Sequence, residues 1–150
     1  MRFIVRYATR IEDLNVAGHL DNLRILRAVD EARNAFLGMP GAGLPGAFDG
    51  FGAQVAPFVA AHRVEYRAEL GYAAEPLEVT LWVCRVGRTS LEIAAEVRQA
   101  PGEPLAVLAS TSVVLLTLGA GPHDRPSPWV VTDTAREALA AYQHEPPVFR

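Results

Sequence analysis

The sequence predicts an α+β protein in which an antiparallel sheet packs around one long helix. Three observations carry this prediction. A segment of alternating polarity comes first, a segment with helical spacing of apolar residues follows, and four strand-like runs separated by turn residues come after it. A single helix followed by a group of strands is typical of the α+β class. At 150 residues the chain fits a single domain, which we expect to span residues 1–150 and to end in a short second helix.

The first two elements are distinguished by the period of their apolar residues. Residues 2–9 alternate, with Phe3, Val5 and Tyr7 on one side, and this period of two predicts a strand. From Leu20 to Gly38 the period becomes that of a helix, with one apolar face formed by Ile25, Val29, Ala32 and Phe36. Three further apolar residues, Leu23, Leu26 and Ala35, predict that most of this helix is covered.

A glycine-rich loop follows the helix. Residues 39–52 contain five glycines and two prolines, which argues against any regular element. The loop lacks the Gly-Lys-Ser/Thr ending of a phosphate-binding P-loop.

Four strands are predicted after this loop, at residues 54–67, 77–86, 90–99 and 104–117. Short turn sequences at 86–90 and 100–104 predict that the last three strands form a meander of hairpins. The final strand is apolar on both faces, so we expect a second layer or a second subunit to cover it. Residues 119–131 predict a linker rich in proline and glycine, and residues 132–142 predict a short helix capped by Thr132.

Composition excludes several classes of protein. The chain contains no lysine and no run of arginines, and its formal net charge is −3, so it lacks the basic field that nucleic-acid or membrane-surface binding requires. Cys84 is the single cysteine, so no intrachain disulfide is possible. The first ten residues lack the apolar core of a signal peptide, and no apolar stretch is long enough to span a membrane. We expect a cytoplasmic protein.

Polar residues crowd into the segment before the long helix. Residues 12–22 read EDLNVAGHLDN, and they lead directly to the predicted start of the helix. The first amides of a helix have no partner within it, and the helix dipole favours negative charge there. These residues therefore predict a polar site at the helix start that can stabilise an anion.

The same segment resembles a known family motif. The 4-hydroxybenzoyl-CoA thioesterase-like branch of the hotdog-fold acyl-CoA thioesterases carries R-x-x-D-x-D-x-x-G-H-V-N-N before the helix and E-E-A-R within it. The matching residues here are Arg10, Asp13, Asn15, Gly18, His19, Leu20, Asp21 and Asn22, followed by Asp30, Glu31, Ala32 and Arg33. The resemblance covers residues 2–118. It implies a hotdog fold, in which a curved, antiparallel five-stranded sheet wraps around a central helix.

The resemblance also implies a function and a set of substrate-binding residues. It implies hydrolysis of an acyl-CoA or acyl-carrier-protein thioester to free acid and thiol. Tyr66 matches a tyrosine often found on a family strand, and Arg88 and Ser90 match a family hairpin and are candidates for binding a phosphate of coenzyme A. With Gly18, Leu20 and Asn22 they complete the expected substrate-binding set. No cofactor and no metal ion are expected, and the resemblance implies a homodimer or homotetramer.

Two departures from the motif bear on the mechanism. The usual catalytic aspartate of the family is replaced by Asn15, and the first asparagine of the V-N-N triplet is replaced by Asp21. An asparagine can orient water or polarise a carbonyl but cannot accept a proton at neutral pH. The candidate bases are therefore His19, Asp13, which would point the same way as Asn15 in an extended loop, and Asp21. Asp21 is preferred to Asp13, because the resemblance implies that it replaces a residue at the edge of the pocket.

Each candidate also has a purely structural interpretation. Asp13 and Asn15 are residue types that form Asx-turns, and either Asp21 or Asn22 can serve as the helix N-cap. His19 can hold the loop through a hydrogen bond to the backbone. Arg88 can simply face solvent.

Three functions stay open from the sequence. A thioester hydrolase is favoured by the motif, and a non-catalytic acyl-CoA-binding hotdog protein is favoured by Asn15. A dehydratase acting on acyl thioesters ranks last, because no second histidine lies near the helix in the sequence. The loop 38–52 is expected to border the acyl pocket and, having few large side chains, to admit a long or bulky acyl chain.

Overall fold

Within residues 1–39, 42–52, 54–119, 121 and 123–150, the computed structural model describes six strands, all in one antiparallel sheet, and two α-helices. The strands are β1 (Phe3–Tyr7), β2 (Val55–Tyr66), β3 (Leu77–Val86), β4 (Ser90–Arg98), β5 (Val107–Thr117) and β6 (Ser127–Pro128), and the helices are α1 (Asn22–Leu37) and α2 (Asp133–Ala140). The strand order is β1-β3-β4-β5-β2, and β6 pairs with the end of β5. The predicted α+β class and the meander of β3, β4 and β5 are confirmed.

The inner face of the sheet packs on α1 through the alternating residues that predicted the strands. Val5 of β1 pairs with Val79 of β3, and Leu81 pairs with Ala95 of β4. The residues of β3 and β4 belong to one buried apolar cluster with Val29 and other residues of α1, and the partly buried Val5 packs against this cluster. Fully burying side chains of this size stabilises a fold by roughly 1.5–3 kcal/mol each.

Helix α1 is capped at both ends by the residues that flank it. Asp21 caps its start through the side chain, and Gly38 ends it with a φ of 77°, a conformation that glycine adopts without strain. The buried face contains the predicted apolar residues, but the helix is covered less completely than expected. Leu23 is 75% exposed and Ala35 is also exposed, so the described part of the chain leaves that side of the helix uncovered.

The glycine-rich loop is anchored to the core rather than loose. Phe48 is buried and its ring packs against Phe36 of α1 at a centroid distance of 6.1 Å. Gly38 and Gly46 approach so closely that a Cβ atom on Gly46 would lie 2.3 Å from the amide nitrogen of Gly38. Pro40, Gly41 and Ala53, which fall in or beside the predicted loop, lie outside the described residues.

The predicted linker 119–131 contains a short strand that the sequence did not indicate. Residues Ser127 and Pro128 form β6 against Leu116 and Thr117, because β5 extends beyond the end of β4 and leaves its edge free. Ala120 and Pro122 of the linker are outside the described residues. The predicted C-terminal helix is confirmed with slightly shorter bounds, and Thr132 caps it by accepting a hydrogen bond from the amide of Ala135.

Strand β2 forms one edge of the sheet, and its free edge is exposed. Phe58, Val59 and Tyr66 are 44%, 39% and 43% exposed, although each has a large apolar side chain. Most of β5, by contrast, is buried within the chain, so the apolar surface that suggested a second subunit is already covered. In the described part of the chain, no helix is both long and apolar enough to cross a membrane.

Candidate active site

A cleft of about 290 Å³ lies at the start of α1, between the polar loop and the end of β2. The loop and α1 contribute Asn15, His19, Leu20, Asn22 and Ile25. The last residue of β2 and the segment after it contribute Tyr66, Arg67, Ala68, Glu69 and Leu70. The cleft therefore collects five of the ten residues predicted for the site, namely Asn15, His19, Leu20, Asn22 and Tyr66.

The loop is folded by its own side chains. The side-chain oxygen of Asn15 accepts hydrogen bonds from the amides of Ala17, at 2.9 Å, and His19, at 3.2 Å. Gly18 has a φ of 81°, which closes the turn and lets the Asn15 amide donate to the carbonyl of His19. Asn15 thus forms the predicted Asx-turn, and this turn presents His19 to the cleft.

His19 is paired with a carboxylate that was not predicted from the sequence. Its Nε2 atom lies 3.1 Å from Oε2 of Glu69. At the cleft, the side chain of His19 is partly exposed and that of Glu69 is largely exposed. The side chain of His19 therefore contacts Glu69 rather than the loop backbone. Glu69 is 50 residues from His19 in sequence, and no local pattern marks it. The two residues meet because the Leu20 amide donates to the carbonyl of Leu70, which holds the loop beside the segment after β2.

The start of α1 is largely capped by one residue. Asp21 accepts the Leu23 amide at its side chain and the Arg24 and Ile25 amides at its carbonyl oxygen. The expected N-cap role of Asp21 is thereby confirmed. Among the described residues, none accepts a hydrogen bond from the amide of Asn22, so this is the one donor at the helix start left for a ligand.

Tyr66 joins the end of β2 to the start of the helix. Its hydroxyl donates to the carbonyl oxygen of Asn22 at 3.3 Å. Burial raises the pKa of Tyr66 above its usual value, and the charge of Asp21 raises it further. The phenol therefore stays protonated at neutral pH and can serve as a hydrogen-bond donor.

Asp13 lies outside this cleft. Residues 11–13 form a 3₁₀ turn, so the extended geometry that would align Asp13 with Asn15 is absent. The Asp13 carboxylate is buried, accepts the Arg10 amide at 2.8 Å and lies 3.6 Å from Nε of Arg24. Its carbonyl oxygen also accepts the Asp21 amide, so Asp13 supports the loop from behind.

The carboxylate of Asp13 instead borders a larger cleft of about 600 Å³ between β1 and α1. Four arginines line this second cleft, but each lies within 4 Å of a carboxylate, and the charges are therefore balanced. The four pairs are Arg6–Glu78, Arg10–Glu12, Arg24–Asp13 and Arg27–Glu31.

Arg88 and Ser90 lie at the opposite end of the sheet from Tyr66. Ser90 pairs with Val114, which in turn pairs with Phe58 of β2. Tyr66 is eight residues further along β2, so the two ends are ~26 Å apart at 3.3 Å per residue. Arg88 is exposed on the β3–β4 hairpin. Within one chain, these two residues do not join the cleft.

A histidine does lie near the helix, contrary to the expectation from the sequence. Nε2 of His62 on β2 lies 3.8 Å from the Asp30 carboxylate on α1, and its Nδ1 lies 2.9 Å from the hydroxyl of Thr111. The sequence could not reveal this pair because it depends on how β2 packs against α1. The pair stands eight residues along α1 from Asn22, which is ~12 Å at the rise of an α-helix.

An antiparallel sheet packed on one long helix, with a polar cleft at the helix start, is the arrangement of the hotdog-fold thioesterase class. A model of the family described as the Thioesterase-like superfamily matches residues 9–136, and the chain belongs to this superfamily. The class of enzyme expected from the sequence, a thioester hydrolase, agrees with this membership. No curated protein matches the chain.

Solved structures support the fold across almost the whole chain. The Dynemicin thioesterase superposes with a TM-score of 0.74 at 20% identity, over 96% of this chain and 99% of that one. A thioesterase from Thermus thermophilus, crystallised with coenzyme A and Zn, gives 0.64 at 24% identity over 93% and 92%. A 1,4-dihydroxy-2-naphthoyl-CoA thioesterase from Synechocystis gives 0.67 at 17% identity over 93% and 96%. The hotdog fold is therefore confirmed.

Proposed function

We propose that the cleft at the start of α1 hydrolyses an acyl-CoA or acyl-carrier-protein thioester, with His19 as the general base. The observation that carries this proposal is the His19–Glu69 pair at 3.1 Å. Asn15 cannot take a proton, Asp13 lies outside the cleft, and Asp21 is engaged as the helix cap. His19 and Glu69 are the proton acceptors that line the cleft in the described part of the chain.

Glu69 is assigned the role of orienting the imidazole. A carboxylate beside Nε2 favours the tautomer in which Nε2 carries the proton, and Nδ1 is then the nitrogen that can accept one. The same carboxylate stabilises the imidazolium that forms when water is deprotonated. Because His19 and Glu69 are partly exposed, water can enter the cleft.

The reaction needs a donor for the developing oxyanion, and the amide of Asn22 is assigned to it. His19 removes a proton from water as the oxygen adds to the thioester carbonyl, and the negative charge moves to the carbonyl oxygen. The Asn22 N–H donates to that oxygen at the positive end of the helix dipole. The carbon–sulfur bond then breaks, the thiolate takes the proton from the imidazolium, and free acid and thiol leave.

A homodimer completes the proposal, with β2 as its interface. A long, exposed edge strand is a template for pairing with another copy. Antiparallel pairing about a two-fold axis near the middle of β2 would bring the Phe58 end of one copy to the Tyr66 end of the other. Arg88 and Ser90 of the second copy would then approach the cleft, which is how these two residues remain candidates for binding a phosphate of coenzyme A.

The direct test is release of free thiol from a panel of acyl-CoAs of short, long and aromatic acyl groups. We expect turnover of at least one class by the wild-type protein. A His19→Gln variant should lose about 100-fold or more in kcat. Absence of thiol release above background across the whole panel would contradict the proposal.

The second candidate function is non-catalytic binding of acyl-CoA, and Asn15 is the observation that favours it. Calorimetric binding of acyl-CoA without turnover would support this alternative. The variant Asn15→Asp separates the two functions. A large gain in the rate of thioester hydrolysis means that the native chain lacks its base. A measurable wild-type rate that the substitution leaves unchanged means that His19 suffices. The oxygen of an aspartate can accept the same amides of Ala17 and His19, so the loop should keep its conformation.

The pair of His62 and Asp30 calls for one additional assay. Hydration of a 2-enoyl-CoA, followed by loss of the enoyl-thioester absorbance, tests the dehydratase function that ranked last from the sequence. We expect no hydration, because the 3.8 Å separation is longer than a hydrogen bond and the pair lies outside the cleft.

A further inference from the structure

Residues 143–150, which we name the strap, cross the outer face of the sheet from one edge to the other. The strap begins beside β3, just beyond the end of β1. There the Val83 amide donates to the carbonyl of Tyr142 and the His144 amide donates to the carbonyl of Val83, both at 3.0 Å. The chain thus leaves the edge of β3 in a fixed direction.

The strap covers a small apolar patch on the outer face. Nε1 of Trp82 donates to the carbonyl of Glu145 at 2.9 Å. The ring of Phe149 packs on this patch, and the Arg63 guanidinium lies 4.2 Å from the ring centroid on its face. The patch itself consists of Trp82, Cys84, Ala94 and Leu108. Cys84 is only 8% exposed beneath this cover.

The far end of the strap is held by the two residues that flank Tyr66. Arg67 donates from Nη2 to the carbonyl of Val148 at 3.0 Å, and the Glu65 carboxylate accepts the amide of Arg150 at 2.7 Å. Glu65 and Arg67 also form an ion pair with each other. The Arg150 amide is the main reason that the pKa of Glu65 is lowered, so the carboxylate is ionised at neutral pH.

Tyr66 itself points the other way. Successive strand residues face opposite sides of a sheet, so Glu65 and Arg67 hold the strap outside while Tyr66 reaches Asn22 inside. Immediately after it, the amides of Arg67 and Ala68 both donate to the carbonyl of Ala106, and Glu69 follows. The segment 65–69 therefore carries the strap on one face and the cleft on the other.

We propose that the strap positions Tyr66 and Glu69 in the cleft by clamping segment 65–69 to the outer face of the sheet, with Glu65, Arg67 and Phe149 as positioning residues. The effect of the strap on catalysis rests on the proposed thioesterase function, whereas the attachment of segment 65–69 by the strap does not. The five residue-to-residue steps from Glu145 to Arg150 span ~16 Å when the chain is extended, and three strand spacings from β3 to β2 span ~14 Å. The strap therefore has little slack between its two ends. We expect that loosening the contacts of Phe149 or Arg150 also loosens segment 65–69.

The clamp is tested first without any substrate. Phe149→Ala removes the ring on the patch, and Val148→Ala is a matched control, because Val148 is 84% exposed and contributes its backbone carbonyl. We expect Phe149→Ala to raise the rate at which a thiol reagent modifies Cys84 roughly tenfold and to raise hydrogen exchange at the amides of Arg67 and Ala68. Val148→Ala should leave both rates unchanged.

Two results would overturn the clamp. One is a Cys84 rate that stays at the wild-type value in Phe149→Ala, because the strap would then not cover the patch. The other is a raised Cys84 rate with unchanged exchange at Arg67 and Ala68, because the strap would then open without loosening the segment. Should Phe149→Ala fail to fold, Glu65→Gln, which weakens the grip on Arg150 and Arg67, replaces it with the same expected results.

The catalytic part is tested by steady-state kinetics on the acyl-CoA that the wild type hydrolyses best. Phe149→Ala should lower kcat about tenfold through misplacement of Tyr66 and Glu69, and Phe149→Leu, which restores apolar cover, should recover most of the loss. An unchanged kcat in a strap-open variant would overturn the positioning role. If the wild type hydrolyses no thioester while hydrogen exchange responds as expected, the proposed function fails and the clamp stands.

Discussion

The Nε2 atom of His19 lies 3.1 Å from a carboxylate oxygen of Glu69, across a cleft that opens at the start of α1. The pair joins a loop that is folded by Asn15 to the segment that follows β2. In the proposed function, this pair supplies the base that Asn15 cannot be. The proposed function of this protein depends on whether that pair performs the chemistry.

Glu69→Gln should lower kcat about tenfold while KM changes little. The amide keeps the size of the side chain but loses the charge that stabilises the imidazolium. Steady-state hydrolysis of the best acyl-CoA measures both constants. Glu75→Gln, the same change at an exposed residue of the β2–β3 connection, is the matched control and should behave as wild type. Equal kcat values for the two variants would remove Glu69 from the mechanism.

Asp21→Ala should destabilise the protein by about 1 kcal/mol, because the Leu23 amide loses its acceptor at the helix N-cap. Urea unfolding followed by circular dichroism measures the change. Asp21→Ser preserves a capping oxygen and should retain nearly all of the wild-type stability. A stability of Asp21→Ala equal to that of the wild type would mean that the cap contributes nothing here.

Much of this local structure could be predicted from the sequence because it depends on near neighbours. The apolar spacing of Ile25, Val29, Ala32 and Phe36 predicted α1, and the aspartate before it was a candidate for its cap. The alternation in β3 and β4 likewise predicted a hairpin, and its register brings Leu81 opposite Ala95 and Val83 opposite Ile93. In each case the deciding contacts lie within one element or between consecutive strands.

The contacts that define the cleft are of another kind. Glu69 meets His19 only because β2 folds back along α1, and Asp13 turns away because three residues of the loop form a 3₁₀ turn. The strap depends on contacts between residues that are far apart in sequence, such as Trp82 with Glu145 and Arg67 with Val148. Such contacts follow from the assembled fold and leave no periodic pattern in the sequence.

Gly46→Ala should destabilise the fold by clearly more than Gly52→Ala. A Cβ atom on Gly46 would lie 2.3 Å from the Gly38 amide nitrogen and 2.6 Å from the Phe36 carbonyl oxygen, so the backbone must shift. At Gly52 a Cβ atom would meet nothing within 4 Å. Thermal unfolding of the two variants compares them directly. Equal midpoints of thermal unfolding for the two variants would show that the loop can move away from α1 without destabilising the fold.

The free energy of unfolding should fall as pH rises from about 9 to about 11, in part because of Cys84. Burial raises the pKa of this thiol to about 11, from a usual value near 9, so the native state holds a proton that the unfolded chain releases. Below this window the contribution is fully present, and above it the contribution is lost. Tyr7 and Tyr66 add a slope of the same sign, since partial burial also raises the pKa of each phenol.

Cys84→Ala isolates the contribution of the thiol. Chemical unfolding at several pH values should give a shallower decline for Cys84→Ala than for the wild type between about pH 9 and about pH 11. Parallel curves for the two proteins would contradict the raised pKa.

Ala60→Lys tests the interface proposed for β2. Ala60 is exposed near the middle of this edge strand, and a charge there opposes pairing with a second copy. Light scattering after size-exclusion chromatography should show a dimer for the wild type and a monomer for the variant, with thioester hydrolysis reduced in the monomer. Ala74→Lys, on an exposed residue of the β2–β3 connection, should remain dimeric. A wild type that is monomeric at micromolar concentration would contradict the interface.

The most direct measurement is kcat for hydrolysis of the best acyl-CoA by the wild type and by His19→Gln under the same conditions. We expect His19→Gln to lose about 100-fold in kcat, because water loses the group that accepts its proton. A His19→Gln enzyme that keeps the wild-type kcat would contradict His19 as the base.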